Sequence, residues 1–265
     1  FGTKIFSAGL AWYYPFGGQA SWAQNPEYTG NSRYPGAADN VQRWHTIDGK
    51  IRSMYLTGAL AFNIPKIGLS IGVTGSAIRS ELETIRARNG DGTDDLVDSF
   101  GNLKEGRSWI KVGGWQGGFG IGAIWNWKDR MWIGASYTSQ PNVTGGMTLS
   151  GTLNNALART APSETLVELT QTLPDIIRLG FRVRPTEKLE LRAFADYTRW
   201  SVFDKQCVLD ASVEGRQCNY AGAETALQDP ESFVADGEGT RGGTHLLPRF
   251  CKDAGGVRLG ASYWF

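Results

Sequence analysis

Apolar and polar residues alternate strictly along much of this chain. No apolar run approaches the about 18 residues that a membrane-crossing helix needs. From Ile176 to Arg184, Ile177, Leu179, Phe181 and Val183 share one face, and Arg178, Gly180, Arg182 and Arg184 share the other. Leu189 to Thr198 sets Leu189, Leu191, Ala193, Ala195 and Tyr197 against Glu190, Arg192, Phe194, Asp196 and Thr198. Val257 to Phe265 sets Val257, Leu259, Ala261, Tyr263 and Phe265 against Arg258, Gly260, Ser262 and Trp264. Period two is the signature of strands with unlike faces, so the chain reads as all-β. Soluble and membrane barrels alternate alike, and parity alone leaves the surrounding solvent open.

Spacing narrows it. Gaps between strands run long and short in turn: long over about Pro15 to Lys50, Glu81 to Ser108, Asn142 to Val167 and Asp204 to Gly255, short near Pro65-Lys66, Lys128-Asp129 and Pro185-Thr186. Long loops on one rim and tight turns on the other are the pattern of an outer-membrane barrel, with the turns periplasmic. Trp125, Trp127 and Trp132 flank one short turn, and Tyr263 to Phe265 end a strand travelling to the same rim. Trp12, Tyr13, Tyr14, Phe16, Trp200 and Phe203 mark the other, as membrane interfaces favour. Aromatics at 12% and 35 glycines fit the same reading. Eight strands are expected: Lys4 to Tyr14, Ile51 to Ile64, Ile67 to Ser80, Trp109 to Trp127, Met131 to Pro141, Leu166 to Arg184, Leu189 to Phe203 and Gly256 to Phe265. Both chain ends then lie on the periplasmic rim. No leader can be read at Phe1.

Other chemistries find little support. A net charge of +1 argues against nucleic acid as a partner. Gly117 to Gly122 looks like a phosphate-binding loop, yet no helix pattern follows, and Trp115, Phe119, Ile121 and Ala123 keep alternating. A strand with Gly118, Gly120 and Gly122 facing inward is the better reading. Asn89 to Asp95 resembles a calcium loop without its closing glutamate, so a solvated acidic loop is expected and no metal. His45 and His245 lie in long loops with no nucleophile motif beside them, so no enzyme is read and no cofactor is implied. Cys207, Cys218 and Cys251 allow at most one internal pair, most simply Cys207 with Cys218; a Cys/His zinc site is the sharper idea, but no C-x-x-C or H-x-x-x-H spacing supports it.

From Leu173 the residues become specific. Leu173-Pro174-Asp175-Ile176-Ile177-Arg178-Leu179-Gly180, a turn at Pro185, then Tyr197-Thr198-Arg199-Trp200-Ser201-Val202-Phe203 resemble a strand pair of the FadL/TodX family of outer-membrane transporters of long-chain fatty acids and hydrocarbons. Tyr14-Pro15-Phe16-Gly17 is similar to a strand end of that family, and Ile121 to Gln140 agrees with it. The resemblance implies a fourteen-stranded monomeric barrel in the outer membrane of a Gram-negative cell, plugged by an N-terminal hatch. It also implies an internal binding pocket and lateral exit through a kinked strand. Residues 1–265 then read as one partial barrel domain of about eight strands, lacking the hatch, about two strands before Lys4 and about four after Phe265. Arg79 stands where the family has a basic pocket residue, with a loop-proximal arginine facing lipopolysaccharide phosphate as the alternative.

A fatty acid needs apolar walls for its tail and a positive or hydrogen-bonding group for its carboxylate. Arg79, Arg182, Arg192, Phe194 and Trp200 are the candidate ligand contacts. Tyr14, Pro15, Phe16, Gly17 and Gly18 are the candidate lateral gate. Expected partners are a hydrophobic small molecule and the lipid and lipopolysaccharide of the membrane. A water-filled porin and a small anchor or adhesin barrel are the rivals. Two structural expectations follow: Arg178, Arg182, Arg184, Glu190, Arg192, Asp196 and Arg258 face the lumen, and the eight strands form an unclosed wall.

Overall fold

A computed structural model describes residues 2–22, 41–215 and 243–265, apart from residues 92, 94, 96, 103, 144, 145, 158, 159 and 250. Among these residues the secondary structure is antiparallel β with two short 3-10 turns, at Val41–Trp44 and Trp200–Val202, and no α-helix. The strands are β1 (Phe6–Ser21), β2 (Asp48–Ile64), β3 (Leu69–Arg88), β4 (Gly106–Trp127), β5 (Met131–Thr138), β6 (Gly146–Ala156), β7 (Ser163–Thr172), β8 (Ile176–Val183), β9 (Leu189–Thr198), β10 (Lys205–Asp210), β11 (Gly243–Pro248) and β12 (Ala254–Tyr263). All belong to one sheet that forks at β4.

The wall runs β1-β2-β3-β4-β5-β8-β9-β12, and its eight members are the eight strands expected from the alternation. The second branch, β6-β7-β10-β11, leaves the upper half of β4. It occupies stretches expected to be loops, Asn142 to Val167 and Asp204 to Gly255. The expected strand Leu166 to Arg184 is likewise two, β7 and β8, parted at Leu173-Pro174-Asp175. These differences share one cause. β5 and β6 run along β4 in line, as do β7 with β8 and β9 with β10, and each line breaks near one level: at residues 139–145, 173–175 and 199–204. The breaks carry Pro141 and Pro174, which cannot donate to a ladder, and Asn142 and Val143 with φ of 61° each. Above the breaks the strands form a cap.

The cap shows which way the sheet curls. Val112, Met147, Leu149, Val167, Leu169, Leu173 and Val208 form a buried apolar cluster, and Phe16 of β1 and Leu82 of β3 pack on it. Strands so far apart in the sheet can touch through one face only if that face is concave. By register the same face carries Ser53, Tyr55, Thr57, Ser76, Ile78 and Ser80, then Gln116, Gly118, Gly120 and Gly122, and Arg178, Arg182, Glu190, Arg192 and Arg258. The arginine expectation is therefore met. Leu179, Phe181, Leu191 and Leu259 stand on the convex side, exposed with Leu10, Trp12, Leu56, Leu60, Phe62, Val73, Phe119 and Ile121. That continuous apolar band is what lipid requires of a barrel.

Tight turns close the lower rim at residues 65–68 and 128–130. Gly68 has φ +67°, and a Cβ there would lie 2.1 Å from the Asn126 carbonyl oxygen, so only glycine fits. Lys128 and Asp129 also hold positive φ, and the Asp129 N–H donates to the Asn126 side chain at 3.0 Å. Among the described residues β1 pairs only with β2, and β12 only with β9, so the wall has two free edges and is a curled half-barrel.

Candidate functional site

The concave face changes character with height. At the mouth, Phe16 lies edge-on to Trp200 (5.9 Å) and 6.4 Å from the buried ring of Tyr55, and Trp200 meets Phe203 at 6.2 Å. Hydroxyls pair with each other across strands, Ser53 with Ser80 level with Phe16 and Thr57 with Ser76 one pair below Tyr55, each at 2.8 Å. Hydroxyls that satisfy one another present little unmet polarity to a passing apolar chain. Lower still is a groove of about 460 Å³ lined by Ala59, Gly72, Thr74, Gly120, Arg178 and Phe194, among others. Small residues make this room: a Cβ on Gly120 would come within 2.6 Å of the Thr74 hydroxyl.

The foot is charged. Glu190, fully buried, accepts hydrogen bonds from Arg182, Arg184 and Arg192, each at 2.6 Å. The Arg182 guanidinium lies 4.4 Å from the Trp132 ring centroid, and Arg184 lies 5.6 Å from it. Arg258 pairs with Asp196 at 2.6 Å and stands 5.5 Å from the Phe194 ring. Five arginines (178, 182, 184, 192 and 258) face two carboxylates, a net of three positive charges. Bidentate-capable guanidiniums held rigid by a shared carboxylate are suited to receiving an anionic head.

The expected ligand contacts thus separate. Arg182 and Arg192 meet at the foot through Glu190, Phe194 lines the groove, and Trp200 belongs to the mouth. Arg79 is not in the interior. It pairs across strands with Met54 and Trp115 and bonds Glu81 (3.4 Å) on the convex face, so its assignment to the pocket is corrected. Trp132, read as an interfacial aromatic, faces the lumen instead, opposite Asn126 and Arg182. Its even position, matching Asn126 rather than Trp125, carried that information. Glu190 was read as lumenal, but nothing in one sequence marks it as the junction of three arginines.

The candidate gate segment, Tyr14 to Gly18, lies within an interrupted strand rather than at a strand end. Tyr13 pairs with Tyr55 and Phe16 with Ser53, so Tyr14 and Pro15 together oppose Met54 in a β-bulge, after which Gly17 and Gly18 rejoin the ladder. The bulge exchanges the faces: Tyr13 and Phe16 both point inward although three positions apart. The middle of the loop that follows lies outside the described residues.

In the acidic loop Lys104 Nζ lies 2.6 Å from an Asp91 carboxylate oxygen and 3.3 Å from Asp95. Its ammonium and the Thr93 hydroxyl hold the Asp91 carboxyl down at about 2. Cys207 is disulfide-bonded and Cys251 is free. Cys218 lies outside the described residues.

A protein-family description, outer membrane protein transport protein (OMPP1/FadL/TodX), matches residues 6–239. Among solved structures, a Pseudomonas aeruginosa FadL homologue superposes with a TM-score of 0.68 at 16% identity, over 98% of this chain and 54% of that one. The CymD monoaromatic hydrocarbon channel superposes with a TM-score of 0.52 at 14% identity, over 82% of this chain and 57% of that one. The chain spans about half the length of these structures, and the likeness is one of fold. None of the curated proteins matches the sequence.

Proposed function

The chain belongs to the OMPP1/FadL/TodX family of outer membrane transport proteins, and from that premise we propose that it carries long-chain fatty acids or related hydrophobic compounds across the outer membrane. The observation that carries the reading is the order of surfaces along the concave face: an aromatic and apolar mouth interleaved with self-paired hydroxyls, then a groove, then a cationic foot. Burying about a dozen methylenes at ~0.8 kcal/mol each supplies at most roughly 10 kcal/mol, ample for capture from dilute solution. The foot then receives the carboxylate. A porin is less well supported, because an apolar cluster packs across the mouth where a water column would enter.

Gly180 lines the groove, and a Cβ on it meets nothing within 4 Å. Gly180→Leu should fill the groove without disturbing the wall. A fluorescent long-chain fatty acid should then bind the full-length variant at least about tenfold more weakly, by the loss of a few buried methylenes. Unchanged binding would move the ligand away from the groove.

Release is proposed to run sideways through the β1 bulge, sparing the tail an aqueous exit. Support comes from Pro15, which cannot donate to the ladder, at the bulge where Tyr14 and Pro15 together oppose Met54. Deleting Pro15 leaves Tyr14 opposite Met54 and keeps Phe16 opposite Ser53, so the strand straightens without changing register. Uptake should stop while binding persists. Undiminished uptake would send the ligand along the barrel axis instead.

A further inference from the structure

The convex face above the apolar band carries a charged grid that neither mouth nor foot uses. Register sets Lys50, Glu83 and Lys111 side by side across β2, β3 and β4. One row nearer the band Arg52 stands beside Glu81, and one row nearer again Arg79 stands beside Trp115. Apolar rows follow: Leu56 with Ala77, then Phe119, then Leu60 with Val73 and Ile121.

Height identifies the layer these cations occupy. Trp115 and Trp125 lie ten residues apart on β4, and both are exposed on the convex side. Ten steps of about 3.3 Å, tilted about 40° as barrel strands are, rise roughly 25 Å, the thickness of an outer-membrane apolar band. Trp125 and Trp115 then mark the two interfaces. Arg79 lies at the upper interface, and Arg52, Lys50 and Lys111 stand among the headgroups of the outer leaflet.

The grid has unspent donors. Arg52 and Arg79 share a single carboxylate, Glu81, at 2.6 and 3.4 Å, and the Arg79 guanidinium sits 5.8 Å from the Trp115 ring centroid. Lys50 and Lys111 are exposed and have no ion-pair partner among the described residues. Four cations against two glutamates leave two positive charges in excess. Planar guanidinium forks beside mobile ammoniums match phosphate oxygens, and the apolar rows below accept acyl chains. We propose that Lys50, Arg52, Arg79 and Lys111 bind the phosphate groups of an outer-leaflet glycolipid whose acyl chains lie along the band beneath. The site depends on residence in the outer membrane and is independent of what the lumen carries.

The full-length protein in detergent is titrated with a bisphosphorylated lipid A, with the same lipid stripped of phosphate, and with inorganic phosphate. The phosphorylated lipid should bind more tightly than the stripped one, and salt should weaken it. The lipid-facing apolar rows are common to both ligands, so the difference reads the phosphates alone. Removing cations should cost roughly fivefold each, in Lys50→Ala/Lys111→Ala, whose exposed side chains leave the fold untouched, and in Arg52→Ala/Arg79→Ala. Glu81→Gln, which removes the competing carboxylate, should tighten binding. Equal affinity for the two lipids, or for wild type and the lysine double variant, would overturn the site. Competition by inorganic phosphate at similar concentration would show a free-anion site and overturn the lipid assignment. Uptake of a hydrophobic solute, measured in the same variants, should stay unchanged, so the fate of this site and that of the transport reading are separable.

Discussion

Single residues report their face only where the solvent forces them to. Within the apolar band a polar side chain on the convex side is costly, and there alternation reads true: Leu179 and Phe181 are outside, Arg178 and Arg182 inside. Leu179→Arg should therefore cost about 2 to 4 kcal/mol, the range for a cation facing lipid near the midplane. Reversible unfolding from lipid vesicles checks it, and a cost near zero would place that face against water. Arg79 escaped the same reading for a physical reason. At the headgroup level both faces tolerate charge, so polarity no longer distinguishes them, and Arg79, Glu81 and Arg52 form an outward ion cluster. Trp132 escaped because aromatic rings suit an interface and a cation-lined lumen equally, and it stacks on Arg182.

At the scale of strands, the eight wall elements were legible because each repeats an apolar face over about ten residues. Of the cap strands only β7 was, as the start of the expected strand Leu166 to Arg184; the rest were not, because β6, β7 and β10 bury Met147, Leu149, Val167, Leu169 and Val208 only by folding back over the mouth. Aspartates fasten these breaks. Asp175 accepts from the Arg199 guanidinium at 2.7 Å, and Asp253 accepts from the Ser201 N–H at 2.8 Å and from the Tyr197 hydroxyl. Those bonds hold the Asp253 carboxyl below its ordinary range. A depressed carboxylate lends its support above its unfolded pKa and loses it as pH falls through the lowered value. The cap should therefore loosen in acid, below the usual carboxylate range. Hydrogen exchange at β10 amides should accelerate there, and Asp253→Asn should speed exchange at neutral pH by roughly tenfold, as expected of local opening. Exchange indifferent to both would mean that the apolar cluster alone holds the cap down.

For the molecule as a whole, the property that bears on the proposed transport is that surface chemistry changes along one curved face. Phe16 and Trp200 present mainly aromatic ring surface at the mouth, whereas Arg182 and Arg192 present charge at the foot. On the proposed reading a hydrocarbon would gain from the first alone and a fatty acid from both, so two sets of substitutions should separate the two classes. Phe16→Ala removes ring area at the mouth and should weaken binding of an alkane and of a carboxylate of equal length alike, by roughly tenfold for an aromatic side chain that is only partly buried. Arg182→Gln with Arg192→Gln should leave the alkane untouched and weaken the carboxylate by roughly tenfold or more, the worth of a charge-assisted hydrogen bond. Glutamine keeps a donor toward Glu190 while removing the charge, so loss of the foot's architecture is not confused with loss of its field. Equilibrium binding of both ligands to both variants in the full-length protein decides the matter. If the arginine substitutions weaken the two ligands equally, the foot acts as packing and a neutral hydrocarbon becomes the better substrate; if they weaken neither, the head is received outside this half of the barrel.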